Sequence, residues 1–210
     1  MAPALIISVL LATALTPAPS DQDRLEACLS AIQDDAEDAY EDALTWRHQG
    51  GGWPAEHCVS LALIALGQEA PGALRLREAA MGADMASDLS RAIMLGQSGD
   101  AFLVAEQYEQ ALISFTAALD FAPHDSELLS GLARTHLALE EFAAAEDAAS
   151  RALSRNDASP SLWRLRAEAR LALQSYDQAL SDIEAARALS PDDIDILVLR
   201  GRIVDARRTG

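Results

Sequence analysis

Aromatic and small residues recur at a fixed spacing of 34 positions through the second half of the chain. The aromatic positions are Tyr108, Phe142 and Tyr176. Two sets of alanines keep the same spacing: Ala111, Ala145, Ala179 and Ala118, Ala152, Ala186. Within each unit, two stretches place their apolar residues at the spacing of one helix face. The pattern predicts an array of repeated helix pairs.

The repeat register divides the chain into units 92–125, 126–159 and 160–193, followed by residues 194–210. Small residues at three fixed positions of each unit let two antiparallel helices approach closely, and the aromatic residue fills the remaining space. One helix pair leaves an apolar face open, so neighbouring pairs are expected to stack. We therefore predict an all-α fold in which residues 194–210 form a capping helix and tail.

These units resemble the tetratricopeptide repeat (TPR) family. The matching residues of the first unit are Gly99, Tyr108, Ala111, Phe115, Ala118 and Pro123. Those of the second are Leu129, Leu132, Ala133, Phe142, Ala145 and Ala152, and those of the third are Trp163, Ala167, Tyr176, Ala179, Ala186 and Pro191. The departures are Asp157 in place of a proline, Arg170 in place of an aromatic residue and Ala149 in place of a bulky one. The resemblance implies a right-handed α-solenoid.

Residues 21–91 are less regular and are predicted to form degenerate helical repeats. Residues 21–34 and 35–48 have the pattern of two helices, ended by a turn at Gly50-Gly51-Gly52-Trp53-Pro54. Residues 53–86 then fit a degenerate unit, with Ser60, Gly72 and Ala79 at its small positions. The whole array is expected to contain four and a half to five and a half helix pairs.

The composition supports a helical protein with an acidic surface. Hydrophobic residues make up 50% of the chain, and the formal net charge is −17. All of the basic residues are arginines. An acidic chain does not suit nucleic acid or an anionic bilayer as a partner, since both need a cationic face. The absence of lysine also excludes Schiff-base chemistry and a P-loop.

Residues 1–20 have the layout of a secretory signal peptide. An apolar run from Ala4 to Leu15 is too short to span a bilayer and is followed by the small-residue pattern Ala18-x-Ser20. No basic residue precedes the run, so a buried N-terminal helix is the alternative. We predict an exported, bacterial-type TPR protein, periplasmic or secreted, with no membrane insertion after the leader is removed.

Cys28 and Cys58 are the only cysteines in the sequence. In an exported chain an isolated pair predicts a disulfide. Both cysteines lie in apolar helical patterns that the repeat architecture would place side by side. The alternatives are two buried free thiols or a redox-active pair.

The resemblance also implies a ligand groove lined by fixed positions of the first helix in each unit. Carried over to this chain, these positions give the candidate groove residues Gln97, Asp100, Arg134, Arg164, Glu168 and Arg202. A guanidinium group can hold a peptide carboxylate through two parallel hydrogen bonds. The lysines and asparagines of the family's carboxylate clamp are absent. The alternative is that the arginines pair with acids of adjacent helices.

Arg166 and Arg200 lie beside small residues, which favours a structural role, and Asp182 is the expected partner of either. No catalytic residue, metal site or cofactor is predicted. The function indicated is a non-catalytic scaffold that binds a protein or peptide segment of unknown identity. The alternative is a structural or assembly factor that acts through self-association, which leaves a homo-oligomer open. An enzymatic function would require a pocket with paired acids of raised pKa.

Overall fold

The computed structural model describes residues 19–209 and contains eleven helices and no strand over that range. The first four helices are α1 (Asp21–Asp34), α2 (Ala36–His48), α3 (Gly52–Ala65) and α4 (Glu69–Gly82). The next four are α5 (Asp88–Val104), α6 (Tyr108–Phe121), α7 (Ser126–Ala138) and α8 (Phe142–Leu153). The last are α9 (Pro160–Ala172), α10 (Tyr176–Leu189) and α11 (Ile194–Thr209). The all-α prediction is confirmed, and the architecture is a helical solenoid.

Alanines spaced by 34 residues form the contacts between paired helices. Ala111, Ala145 and Ala179 are buried, and so are Ala118, Ala152 and Ala186. Because an alanine face adds little thickness, the second helix of each pair lies close against the first. The small-residue positions predicted from the spacing are therefore the tight crossings of the structure.

The turn between the two helices of a pair has the same backbone geometry in each unit. Glu106, Glu140 and Gln174 have φ of 56°, 59° and 59°, in the left-handed region. Gly67 has φ of 75° at the corresponding place between α3 and α4. Glycine enters this region without steric cost, whereas the three longer residues are held there by the packing of the helices that they join.

The N-terminal helices differ from the prediction at one boundary. The segment from Gly50 to Pro54 was expected to be a turn, but α3 begins at Gly52 and includes Trp53 and Pro54 in its first turn. Pro54 fits there because the first backbone N–H groups of a helix have no intrahelical acceptor. Gln49 and Gly50 form the turn and Gly51 precedes α3 as its N-cap. Trp46 lies so close to Gly51 that a side chain there would overlap its ring.

A disulfide joins α1 to α3. It links Cys28 to Cys58, with 6.1 Å between the two Cα atoms, and confirms the predicted bridge. None of the residues of α1 is buried, although Leu25 packs against the apolar cluster of α2 and α3. The covalent bond adds to this contact in attaching α1 to the array.

The N-terminus of α1 overlaps the predicted leader. The Ser20 hydroxyl accepts a hydrogen bond from the Asp23 backbone N–H, and the Asp23 carboxylate accepts one from the Ser20 backbone N–H. This reciprocal pair is a capping box. The rest of the leader, residues 1–18, lies outside the described residues, and the division of the chain into the units proposed above stays a prediction.

Asp182 and two arginines form a polar network inside the third helix pair. Asp182 is 2% exposed and accepts hydrogen bonds from Arg166 at 2.9 and 2.8 Å. Arg170 donates to it at 2.7 Å and to Glu146 on α8 at the same distance. The predicted contact between Arg166 and Asp182 is confirmed. Arg200 instead pairs with Glu184, whose pKa is lowered chiefly by that hydrogen bond.

Candidate binding groove

The first helices of successive pairs lie side by side and form one face of the solenoid. α5 contacts α7, α7 contacts α9, and α9 contacts α11, in addition to the contacts of each helix with its neighbours along the chain. Residues at the same repeat position on these four helices are therefore aligned across the face. This alignment places the predicted groove residues on one surface.

A row of alternating charge crosses this face. It consists of Asp100, Arg134, Glu168 and Arg202, each 34 residues after the previous one and each on a different helix. We call these four residues the charge row. Arg134 donates to Asp100 at 2.5 Å, and Arg202 lies 3.9 Å from Glu168. Opposite charges on adjacent helices thus meet in pairs across the face.

The C-terminal part of the groove is richer in arginine. Arg164 and Arg202 both lie 3.9 Å from the same carboxylate, that of Glu168. Together with Asp195, Val198 and Leu199 these residues line a depression of about 220 Å³. One carboxylate shared by two guanidinium groups satisfies neither of them fully, so both retain donors that a ligand could use.

The charge row shows that the arginines of the groove do pair with acids, as the alternative considered above required. Arg134, Arg202 and both acids nevertheless remain well exposed. Exposed ion pairs contribute about 0–1 kcal/mol each, so a ligand can replace one partner at small cost. Internal pairing and ligand binding by these arginines are therefore compatible, and the binding role stays a prediction.

The N-terminal part of the groove is apolar. Leu61 and Ile64 of α3 face Ala101 and Val104 of α5 across a depression of about 320 Å³. Val104 is 70% exposed, and Glu69, Gln97 and Asp100 complete the lining. An apolar floor with carboxylates at its rim suits a ligand side chain that is apolar and ends in, or neighbours, a cation.

His57 lies beside this apolar part and is hydrogen-bonded to Gln97, one of the residues that line it. Its Nε2 lies 2.7 Å from the Gln97 side-chain oxygen, which can only accept, so Nε2 carries the proton and donates. The Nδ1 atom is buried and has no hydrogen-bond partner among residues 19–209. Burial lowers the pKa of His57, and the hydrogen bond that His57 donates to Gln97 opposes this in part. Gln97 is thus held by the protein and is less free to meet a ligand than its position in the sequence suggested.

Leu61, Ile64 and His57 are the groove residues that sequence reasoning missed. The degenerate unit 53–86 places these residues at the groove positions of its first helix, so the register already contained the signal. The signal is weak because this unit has Glu69 in place of the aromatic residue and Gly72 in place of the first alanine.

Two features are absent from residues 19–209. No group of three or more histidine, cysteine, aspartate or glutamate side chains is arranged there to hold a metal ion. No helix in the same range is both long enough and apolar enough to cross a membrane.

Comparison with known proteins supports the repeat assignment. Residues 103–169 match the family model described as tetratricopeptide repeat. RNA polymerase II-associated protein 3 of Homo sapiens is 27% identical over 108 residues, and its Mus musculus counterpart matches at the same identity and length. These alignments cover 51% of this chain and 16% of each relative, so the chain corresponds to a small part of those proteins.

Solved structures agree with the fold. The first TPR domain of human RPAP3 is 26% identical, with a TM-score of 0.53 over 55% of this chain and 91% of that domain. The first TPR of Spaghetti (RPAP3), bound to an HSP90 peptide, is 25% identical, with a TM-score of 0.54 over 56% of this chain and 94% of that one. MamA RS-1 has a TM-score of 0.69 over 81% of this chain and 93% of its own, at 16% identity. This last likeness concerns the fold alone.

Proposed function

We propose that this chain is a non-catalytic scaffold that binds a segment of another protein in the groove formed by α3, α5, α7, α9 and α11. The observation that carries the proposal is the continuous surface on which an apolar depression, the charge row and a depression lined by two arginines and two acids follow one another. A related TPR domain of 25% identity has been solved with an HSP90 peptide bound, which supports peptide binding by this kind of surface.

The chemistry of the groove indicates what the segment contains. Its apolar end, beside Glu69 and Asp100, favours an apolar side chain next to a lysine or arginine. Its other end, at Arg164 and Arg202, favours an aspartate or glutamate. A segment with this polarity satisfies both ends in one direction only, so charge complementarity sets its orientation as well as its affinity.

Selection of peptides against the purified protein tests this proposal. Peptides enriched from a random library should carry a basic and apolar end and an acidic end. Their affinity for the double variant Arg164→Glu/Arg202→Glu should fall about tenfold or more, because two attractive contacts become repulsive. Arg187→Glu, which changes an exposed arginine of α10, is the matched control and should bind as the wild type does. Equal binding by the groove variant would contradict the proposal.

We also propose that the protein acts in the periplasm or another extracytoplasmic space. The signal-peptide pattern of residues 1–20 supports this, and a disulfide suits an oxidising compartment. N-terminal sequencing of the protein from an envelope fraction should find Asp21 as the first residue. Recovery of the uncleaved protein from the cytoplasm, with both cysteines open to thiol labelling, would contradict it.

A second candidate function, assembly through self-association, is favoured by a separate observation. Apolar residues of α11 lie exposed on the side of the helix that faces away from the array.

A further inference from the structure

Helix α11 carries two apolar faces, and the array covers only one of them. Ile196, Leu199 and Ile203 are buried against the preceding helices. On the opposite side, Ile194 and Leu197 are 73% and 45% exposed. Gly201 and Val204 continue this outer face, and Val204 is 43% exposed. We call Ile194, Leu197, Gly201 and Val204 the outer seam of α11.

The spacing of the outer seam is that of a helix-pairing surface. Its residues follow one another at intervals of three, four and three positions, which keeps them on one line along the helix. The groove residues Val198 and Arg202 point about a quarter turn away from this line, and Arg200 is engaged with Glu184 of α10. The outer seam is therefore separate from the ligand groove and from the contacts that hold α11.

Gly201 leaves a gap in the middle of the seam. Gly99 occupies the same repeat position in α5, where a Cβ atom would lie only 2.7 Å from the Phe115 ring. At Gly201 a Cβ atom would meet nothing within 4 Å. The small residue that elsewhere admits a neighbouring side chain is thus present in α11 with no side chain of residues 19–209 seated on it.

We propose that the outer seam is the contact surface between two copies of this chain, with their α11 helices antiparallel. In that arrangement Leu197 of one copy seats over Gly201 of the other, and Ile194 packs against Val204. This repeats, between chains, the bulky-on-small contact that Phe115 makes with Gly99.

The charges at the two ends of α11 select a second copy in this orientation. Asp192, Asp193 and Asp195 lie at the start of the helix. Arg207 and Arg208 lie in its last turn, 2.8 Å from Asp177 and 3.2 Å from Asp205. Both of these ion pairs are exposed, so a second copy can replace them at small cost. An antiparallel pair brings the acidic end of one helix to the basic end of the other twice, whereas a parallel pair would place like charges together. The opposed helix dipoles favour the same arrangement.

The area that the outer seam can bury sets the expected affinity of the dimer. A single pair of helices of this length buries area near the lower limit of specific interfaces, about 1,000–1,200 Å² in total. With a net charge of −17 on each copy, long-range repulsion also opposes association. We expect a dimer with a dissociation constant in the micromolar range, strengthened by moderate salt because salt screens the long-range repulsion.

This proposal rests on the second candidate function, and it is tested by analytical ultracentrifugation of the full chain over a range of protein concentrations. The wild type should form a dimer. Leu197→Glu should weaken it about a hundredfold or more, because the charge would be buried at the centre of the contact. Gly201→Ala should weaken it about tenfold while raising the melting temperature of the dilute monomer, since alanine favours the helix.

Val198→Glu is the matched control. Val198 is more exposed than Leu197 on the same helix but faces the groove, so this variant should dimerise like the wild type. A wild type that stays monomeric at several hundred micromolar would overturn the proposal, and so would a dimer that Leu197→Glu leaves intact or that Val198→Glu disrupts. The Leu197→Glu variant should bind peptide as the wild type does. A negative result for dimerisation can therefore be told apart from a negative result for peptide binding.

Discussion

Two successive junctions of the array use the same repeat positions with opposite chemistry. Between the first and second units, the Phe115 ring fills the space above Gly99 and Gly131, and it is 1% exposed. One repeat later, the position of Phe115 is occupied by Ala149 and that of Gly131 by Leu165. The bulky side chain has thus moved from the second helix of one unit to the first helix of the next.

The second junction combines apolar contact with charge. Leu162 and Leu165 of α9 share one apolar cluster with the alanines of α8, while Arg170 of α9 extends the Asp182 network of the third pair to Glu146 of α8. Stacking of repeats therefore requires that the space between helices be filled, and the filling can be an aromatic ring or a hydrogen-bonded ion network. Removing one side chain from the ring contact and from the ion network should therefore lower the stability of the protein by different amounts.

Removing the ring should have the largest effect. Phe115→Ala empties a cavity bordered by two glycines, which cannot expand to fill it, and should lower the free energy of unfolding by about 4 kcal/mol. Urea denaturation measures this loss. A loss below about 1 kcal/mol would mean that the first junction does not depend on the ring.

Removing the buried carboxylate should cost somewhat less. Asp182→Ala leaves Arg166 without its main partner, while Arg170 keeps Glu146, and we expect a loss of about 3 kcal/mol. A triple variant, Arg166→Met/Arg170→Met/Asp182→Leu, serves as its control. It removes all three charges together and should recover most of the stability, because paired buried charges add little compared with apolar packing. No recovery would show that the network itself stabilises the junction.

The same substitution at two equivalent glycines should have opposite signs. Gly99→Ala forces the Phe115 ring to move and should destabilise the chain by about 1–3 kcal/mol. Gly201→Ala meets open space and should stabilise the dilute monomer by about 0.5–1 kcal/mol through helix propensity. Thermal unfolding of the two variants measures the contrast. Equal changes in melting temperature would mean that neighbouring side chains do not decide whether alanine destabilises or stabilises the chain at this repeat position.

A third junction, between α3 and α5, holds one uncharged polar pair and should show the smallest effect. The unfolded chain protonates His57 near its ordinary pKa of 6.5, whereas burial lowers that pKa in the folded state. The contribution of His57 to stability is therefore complete above pH 6.5 and decreases as the pH falls below it. Urea midpoints measured at about pH 7.5 and 5.5 should separate less in His57→Gln than in the wild type.

The exposed His124 provides the control for this pH dependence. His124→Gln should keep the wild-type separation of the two midpoints, because it removes an exposed imidazole and leaves the buried His57 in place. If both variants flatten the dependence equally, burial of His57 is not its cause.

Sequence reasoning reached the helices, the tight alanine crossings, the disulfide and the contact between Arg166 and Asp182. Each of these follows from a local or strictly periodic signal, such as the spacing of 34 residues or the isolated pair of cysteines. It did not reach the start of α3, the partner of Arg200 or the apolar end of the groove. These depend on which side chains meet across neighbouring helices, and the degenerate first units give the register little support.

The sequence by itself determined the architecture, because small residues at a constant interval permit only one way for helix pairs to nest. Only the tertiary structure decided which charges became paired and which apolar faces stayed exposed. A side chain's partner depends on the angle and distance between helices, and the repeat period does not specify either. The alternation of acid and arginine across the groove and the bare glycine of α11 became visible only when equivalent positions were brought side by side.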